Sequence, residues 1–145
     1  MDDTENLQPP ELADNVDRDW LLQNLVSNVN DLKFNQGITL WTNTGVISGV
    51  LIPASKYCDL YIEDFLRRFT PEAAAKTEAF MRGDLLGRYY NESDKDSGNI
   101  AFIHLFDAKL FMPNGFMPSN EGVLWRGRLS QVTGFSLGTL QKRPE

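Results

Sequence analysis

Gly134-Phe135-Ser136-Leu137-Gly138 matches G-x-S-x-G, the pattern in which a strained strand-to-helix turn exposes a serine hydroxyl beside an oxyanion hole. The chemistry would be acyl transfer. Its surroundings argue otherwise, because only seven residues follow Gly138 and they include Pro144, so no helix is expected there. The single histidine, His104, also precedes the serine, whereas that fold places its triad histidine after it. The segment is therefore read as a strand whose glycines permit a tight turn or a close backbone approach. His104 has no histidine or cysteine neighbour in sequence, and zinc needs three or four ligands, so no metal or other cofactor is expected. Glu92, Asp94 and Asp96 alternate as in a calcium loop, but Ser97 and Ile103 occupy the positions that require Gly and Glu. Cys58 stands on an apolar helical stripe and reads as a small core residue.

Trp125-Arg126-Gly127-Arg128 carries a different chemistry. On a strand, alternation sets Arg126 and Arg128 on one face and Trp125 on the other. Two adjacent guanidinium groups can hold carboxylates or phosphates in bidentate pairs. The formal charge of −6 is unevenly spread. Residues 1–19 hold seven acids, Asp2, Asp3 and Glu5 among them, against Arg18 alone. Residues 122–145 hold four bases against Glu145 alone. An acidic head and a basic C-terminal region attract each other, within one molecule or between copies. A neutral body with an acidic head argues against nucleic acid as the partner of the arginines.

The elements that must position these groups follow from periodicity. Residues 1–14, with Pro9-Pro10, lack an apolar period and are expected to form a disordered acidic tail. A helix capped by Asp14 or Asn15 is expected to run to about Asn28, with Leu22, Leu25, Val26 and Val29 on its core stripe. Ile38–Thr42 and Val46–Ile52 flank Asn43-Thr44-Gly45 as a β-hairpin, with Gly49 marking a bend or bulge. Ser55 is expected to cap a second helix, on which Cys58, Tyr61, Ile62, Phe65, Leu66 and Phe69 fall at helical spacing. Thr70-Pro71-Glu72 starts a third, expected to run to about Arg82 and stop at Gly83, before a polar loop over residues 91–99.

Beyond that loop the chain reads as strand. Residues 100–106 have two apolar faces and are expected to be buried on both, with a pivot at Asp107-Ala108. A loop over 113–120 precedes strands at 123–132 and 135–140, hinged at Thr133-Gly134. The fold class is α+β: an N-terminal helix, a β-hairpin, a helical insertion, then antiparallel strands forming a small curved sheet or open Sm-like barrel. One domain over 15–140 is expected, with a short basic tail at 141–145.

Phe102-Ile103-His104-Leu105, Trp125-Arg126-Gly127-Arg128 and Gly134-Phe135-Ser136-Leu137-Gly138 resemble the C-terminal half of the gas vesicle accessory protein U family. Val46-Ile47-Ser48-Gly49 and Ala54-Ser55-Lys56-Tyr57 are similar to its N-terminal half. The resemblance covers roughly residues 36–66 and 100–140. It implies a non-enzymatic accessory protein, cytoplasmic and associated with gas vesicles, that supports vesicle assembly or clustering. The partners it implies are the vesicle shell, other accessory proteins and further copies of the chain, with no membrane. Trp125, Arg126, Arg128, Asp2, Asp3 and Glu5 are the candidate interaction residues, and no catalytic residue is carried over. The other readings are an Sm-like nucleic-acid-binding module and, more remotely, a small serine hydrolase.

Overall fold

The computed structural model describes residues 18–92 and 100–141. The expected caps Asp14 and Asn15, the acidic residues 1–17 and all of the basic tail 141–145 but Gln141 lie outside them. Helix α1 spans Trp20–Leu32, and its cap is Asp19, whose carboxylate accepts from the N–H groups of Leu21 and Leu22. It runs four residues beyond the expected end, until Lys33 takes a left-handed conformation and donates its N–H to Val29. Replacing Asp19 with Ala leaves two helix N–H groups without their acceptor. It should cost about 1 kcal/mol in urea-unfolding free energy.

The expected hairpin forms from β1 (Gln36–Thr42) and β2 (Gly45–Leu51). Strand β3 (Phe102–Met112) pairs with β2. Its other edge is shared by β4 (Gly115–Met117) and β5 (Val123–Arg128). A 3-10 turn at Leu129–Gln131 leads into β6 (Val132–Leu137), which returns to pair with β1. All pairings are antiparallel, in the order β4-β3-β2-β1-β6, and the sheet is open. The chain is thus α+β with a small open curved sheet. The break between the last two strands falls at Leu129–Gln131, not at Thr133-Gly134, because Leu129 is drawn into the core and donates its N–H to Ala101. The strand β4 stands within the stretch expected to be a loop.

Both sheet irregularities legible in the sequence are present and face each other. Asp107 has φ +52° and interrupts the register between β2 and β3 opposite Gly49. A Cβ at Gly49 would press within 3.0 Å of Ala108 Cα and the Phe106 carbonyl oxygen, so the bend requires glycine. Asp107 Oδ1 accepts from the Gly122 N–H at 2.7 Å, tying the bend to the chain entering β5.

Helix α1 covers one sheet face with Leu22, Val26 and Val29, against Ile38, Leu40, Ile47, Leu51, Ile103, Leu105, Ala108 and Leu129. Helices α2 (Ala54–Leu66) and α3 (Pro71–Glu92) form the insertion between β2 and β3. The cap of α2 is not Ser55. Asn30 of α1 lends its side-chain oxygen to the Ala54 N–H, and the Ser55 hydroxyl accepts from the Lys33 ammonium. Helix α3 begins as expected at Thr70, whose hydroxyl accepts from the Ala73 N–H, but passes through Gly83 to Glu92. Ion pairs at i,i+4, Arg82 with Glu78 and Arg88 with Asp84, and the bond from Arg82 to Asp59 of α2 help offset the roughly 1 kcal/mol that a helical glycine costs. Among the described residues no helix is long and apolar enough to cross a membrane.

Candidate interaction surface

Strand β5 pairs with the first half of β3, setting Arg128 opposite Phe102, Arg126 opposite His104 and Trp125 opposite Leu105. Alternation separates the tripeptide as expected. Trp125 packs against the core beneath α1, half-buried, and its ring crosses Gly127, where any Cβ would collide with it. Arg126 and Arg128 project from the opposite face and are exposed. The Arg126 guanidinium lies 3.9 Å from the centroid of the Phe102 ring, a cation–π contact that holds the charge against the sheet. Neither arginine has an ion-pair partner among the described residues.

Beside them α2 leans over the sheet, and the Tyr57 ring meets the His104 ring at 4.6 Å. His104 is only 8% exposed. Burial, reinforced by the positive charge of Arg126, lowers its pKa to about 3, so the imidazole is neutral at physiological pH and a feeble base. Burial also raises Tyr57 and Cys58, against the opposing pull of Arg126, so the thiol is held protonated. The arrangement is two guanidinium groups, without ion-pair partners among the described residues, at the border of a neutral, aromatic floor. It suits the reception of carboxylates or phosphates in a bidentate grip.

Ser136 sits on β6, paired with Thr39 of β1, and its hydroxyl lies against its own strand at the Leu137 carbonyl oxygen. The strand-to-helix turn demanded by G-x-S-x-G is not formed. Asp2, Asp3 and Glu5 lie outside the described residues.

Two apolar surfaces escaped the sequence reading. On α2 and the turn after it, the rings of Tyr57, Tyr61, Phe65 and Phe69 follow one another with centroids 6.1, 6.4 and 5.5 Å apart, and the last three are exposed. Of the six residues at helical spacing only Ile62 and Leu66 are buried, and Cys58, read as a core residue, is half-buried. The period identified the helix correctly, but a helical stripe does not say what covers it. On the arginine-bearing face of the sheet, Trp41, Val46, Phe111 and Phe116 are direct cross-strand neighbours over four strands. The register that assembles them depends on the bulge at Asp107, and so was not readable from any one segment.

A model of the gas vesicle protein GvpU-like family matches residues 19–140. The chain belongs to that family. The match begins at the cap of α1 and takes in every helix and strand described above, including the insertion that the sequence resemblance left uncovered. No curated protein and no solved structure matches the chain. In this gas vesicle protein the arginine-bearing strand is therefore part of the family fold, whereas the acidic residues 1–18 precede the matched region.

Proposed function

We propose that this GvpU-like protein is a non-enzymatic accessory of gas vesicles that supports their assembly or clustering by self-association and by contact with vesicle components. The observation that carries this reading is the pair of exposed arginines, Arg126 and Arg128, without ion-pair partners among the described residues, in a chain whose first 19 residues carry a net −6. Trp125 contributes from beneath by fixing the strand against the core. Asp2, Asp3 and Glu5 supply carboxylates for the arginines of another copy. Each such exposed pair is worth only about 0.2–1 kcal/mol, so the association is weak, multivalent and reversible. The weakness of His104 as a base and the protonated state of Cys58 support the assignment of a binding role over a catalytic one.

Exposed ion pairs fade as the Debye length falls from about 10 Å at 0.1 M salt to about 3 Å at 1 M. Light scattering and sedimentation should therefore show self-association at low salt that declines as salt is raised. The double variant Arg126→Glu, Arg128→Glu and deletion of residues 1–14 should each weaken it severalfold without loss of the fold. Unchanged association in both variants would disprove the charge-pairing mechanism.

A further inference from the structure

Strand β6 ends the sheet, pairing only with β1, and nothing among the described residues pairs with its outer side. Its six residues, Val132–Leu137, include no charge and no proline. Proteins usually guard such an edge with lysine, proline or a covering element. The edge at β5 carries Arg126 and Arg128, whereas the edge at β6 has no such guard among the described residues.

The ladder to β1 decides which backbone groups face outward. The Gly138 N–H donates to the Gly37 carbonyl at 2.7 Å. With Thr39 opposite Ser136 and Leu40 opposite Phe135, antiparallel alternation turns the N–H and C=O of Ser136 inward. The same groups of Phe135 and Leu137 then point away from the sheet. Their side chains share the face of their partners Leu40 and Ile38, both fully buried in the core. Phe135 packs against that core, yet Leu137 is 61% exposed. A Cβ at Gly134 or Gly138 would meet no atom within 4 Å, so the flanks of the edge are open.

We propose that β6 pairs antiparallel with β6 of a second copy, about a two-fold axis at Ser136. Centred there, Phe135 of each copy faces Leu137 of the other, and those are the two residues with outward hydrogen-bonding groups. About four backbone hydrogen bonds close, and each exposed Leu137 gains a Phe135 ring as its cross-strand neighbour. Gly134 faces Gly138, and Ser136 faces itself as a non-hydrogen-bonded pair. The edge is thus complementary to itself, and a second copy is the occupant that satisfies its backbone and its apolar side chains together. The result is one sheet continuous through both copies, with both arginine faces left free. The inference deepens the self-association proposed above and rests on that reading, but it names a contact that salt does not screen.

The register gives a specific test. Non-hydrogen-bonded partners stand roughly 4.5 Å apart at Cα, within disulfide reach. In full-length protein with Cys58→Ala, Ser136→Cys should oxidise to a covalent dimer, whereas Thr133→Cys, whose partner would be residue 139, should stay largely monomeric. In about 0.5 M salt, where charge pairing is screened, sedimentation should find a dimer in the parent and a monomer in Leu137→Lys, with matching thermal melts. Equal cross-linking at both positions, or a dimer that survives Leu137→Lys, overturns the proposal. A parent that assembles at low salt but is monomeric in 0.5 M salt overturns it too, while leaving the charge reading intact. Conversely, a salt-resistant dimer whose low-salt association ignores the arginine variants sinks the charge reading alone.

Discussion

Acidification from pH 7.5 to pH 4.5 should remove about 2–3 kcal/mol of stability through His104 alone. The sign follows from proton counts. In the unfolded chain this histidine titrates near 6.5, while in the fold it resists protonation down to about 3. Between those values the unfolded state holds a proton that the folded state does not, so stability falls by about 1.4 kcal/mol for each pH unit lost. The contribution is fully present above pH 6.5 and is lost progressively as the pH falls through the folded value. Two causes oppose charge on the ring: burial removes its water, and Arg126 stands opposite on β5 with a like charge. Urea titrations at pH 7.5, 5.5 and 4.5 should give a steep loss in the parent and a shallower one in His104→Leu, where carboxylates alone titrate. Parallel slopes would show that the imidazole is solvated. Because His104 is the only histidine, its ring protons can be followed directly by NMR and should stay in the neutral form throughout that range.

Much of the fold was legible because its signals are local. The β-branched runs around Asn43-Thr44-Gly45 specify the hairpin, and Leu22, Val26 and Val29 specify the buried side of α1. Gly49 and Asp107 announced a bend from either side of a pairing that had not yet been seen. Alternation alone parted Trp125 from the two arginines, and the fold turns Trp125 to the core and the arginines to solvent.

The misses share a different cause. Helix α3 passes Gly83 because Arg82 finds Asp59 on the neighbouring helix, a tertiary contact that propensity does not see. Helix α2 starts under Asn30, which lies 24 residues earlier in the chain. Likewise the helical period of Tyr61, Phe65 and Phe69 does not tell what covers them, and their rings meet one another. As for the candidate surface, the arginine strand was readable as a strand. Its cation–π floor was not, since Phe102 reaches Arg126 only through the pairing of β3 with β5.

The stretch from Ile100 to Phe106, expected to be buried on both faces, supplies the sharpest test of that lesson. Leu105 is fully buried between Leu51 of β2 and Trp125 of β5, under α1. Truncation to Ala would open a cavity that three strands and a helix cannot readily close. A loss of about 3–4 kcal/mol is expected, large against the 5–15 kcal/mol total of a typical domain. Phe106, the next residue, is 48% exposed on the opposite face, beside the bend at Asp107. Phe106→Ala should therefore cost below about 1 kcal/mol, although the side chain removed is larger. Side-chain size alone ranks the two in reverse, because it weighs the residue and not what lies over it. Denaturant midpoints measured side by side decide between these orders. A Phe106→Ala loss equal to that of Leu105→Ala would mean that α2 or another copy covers the second face of β3 in solution.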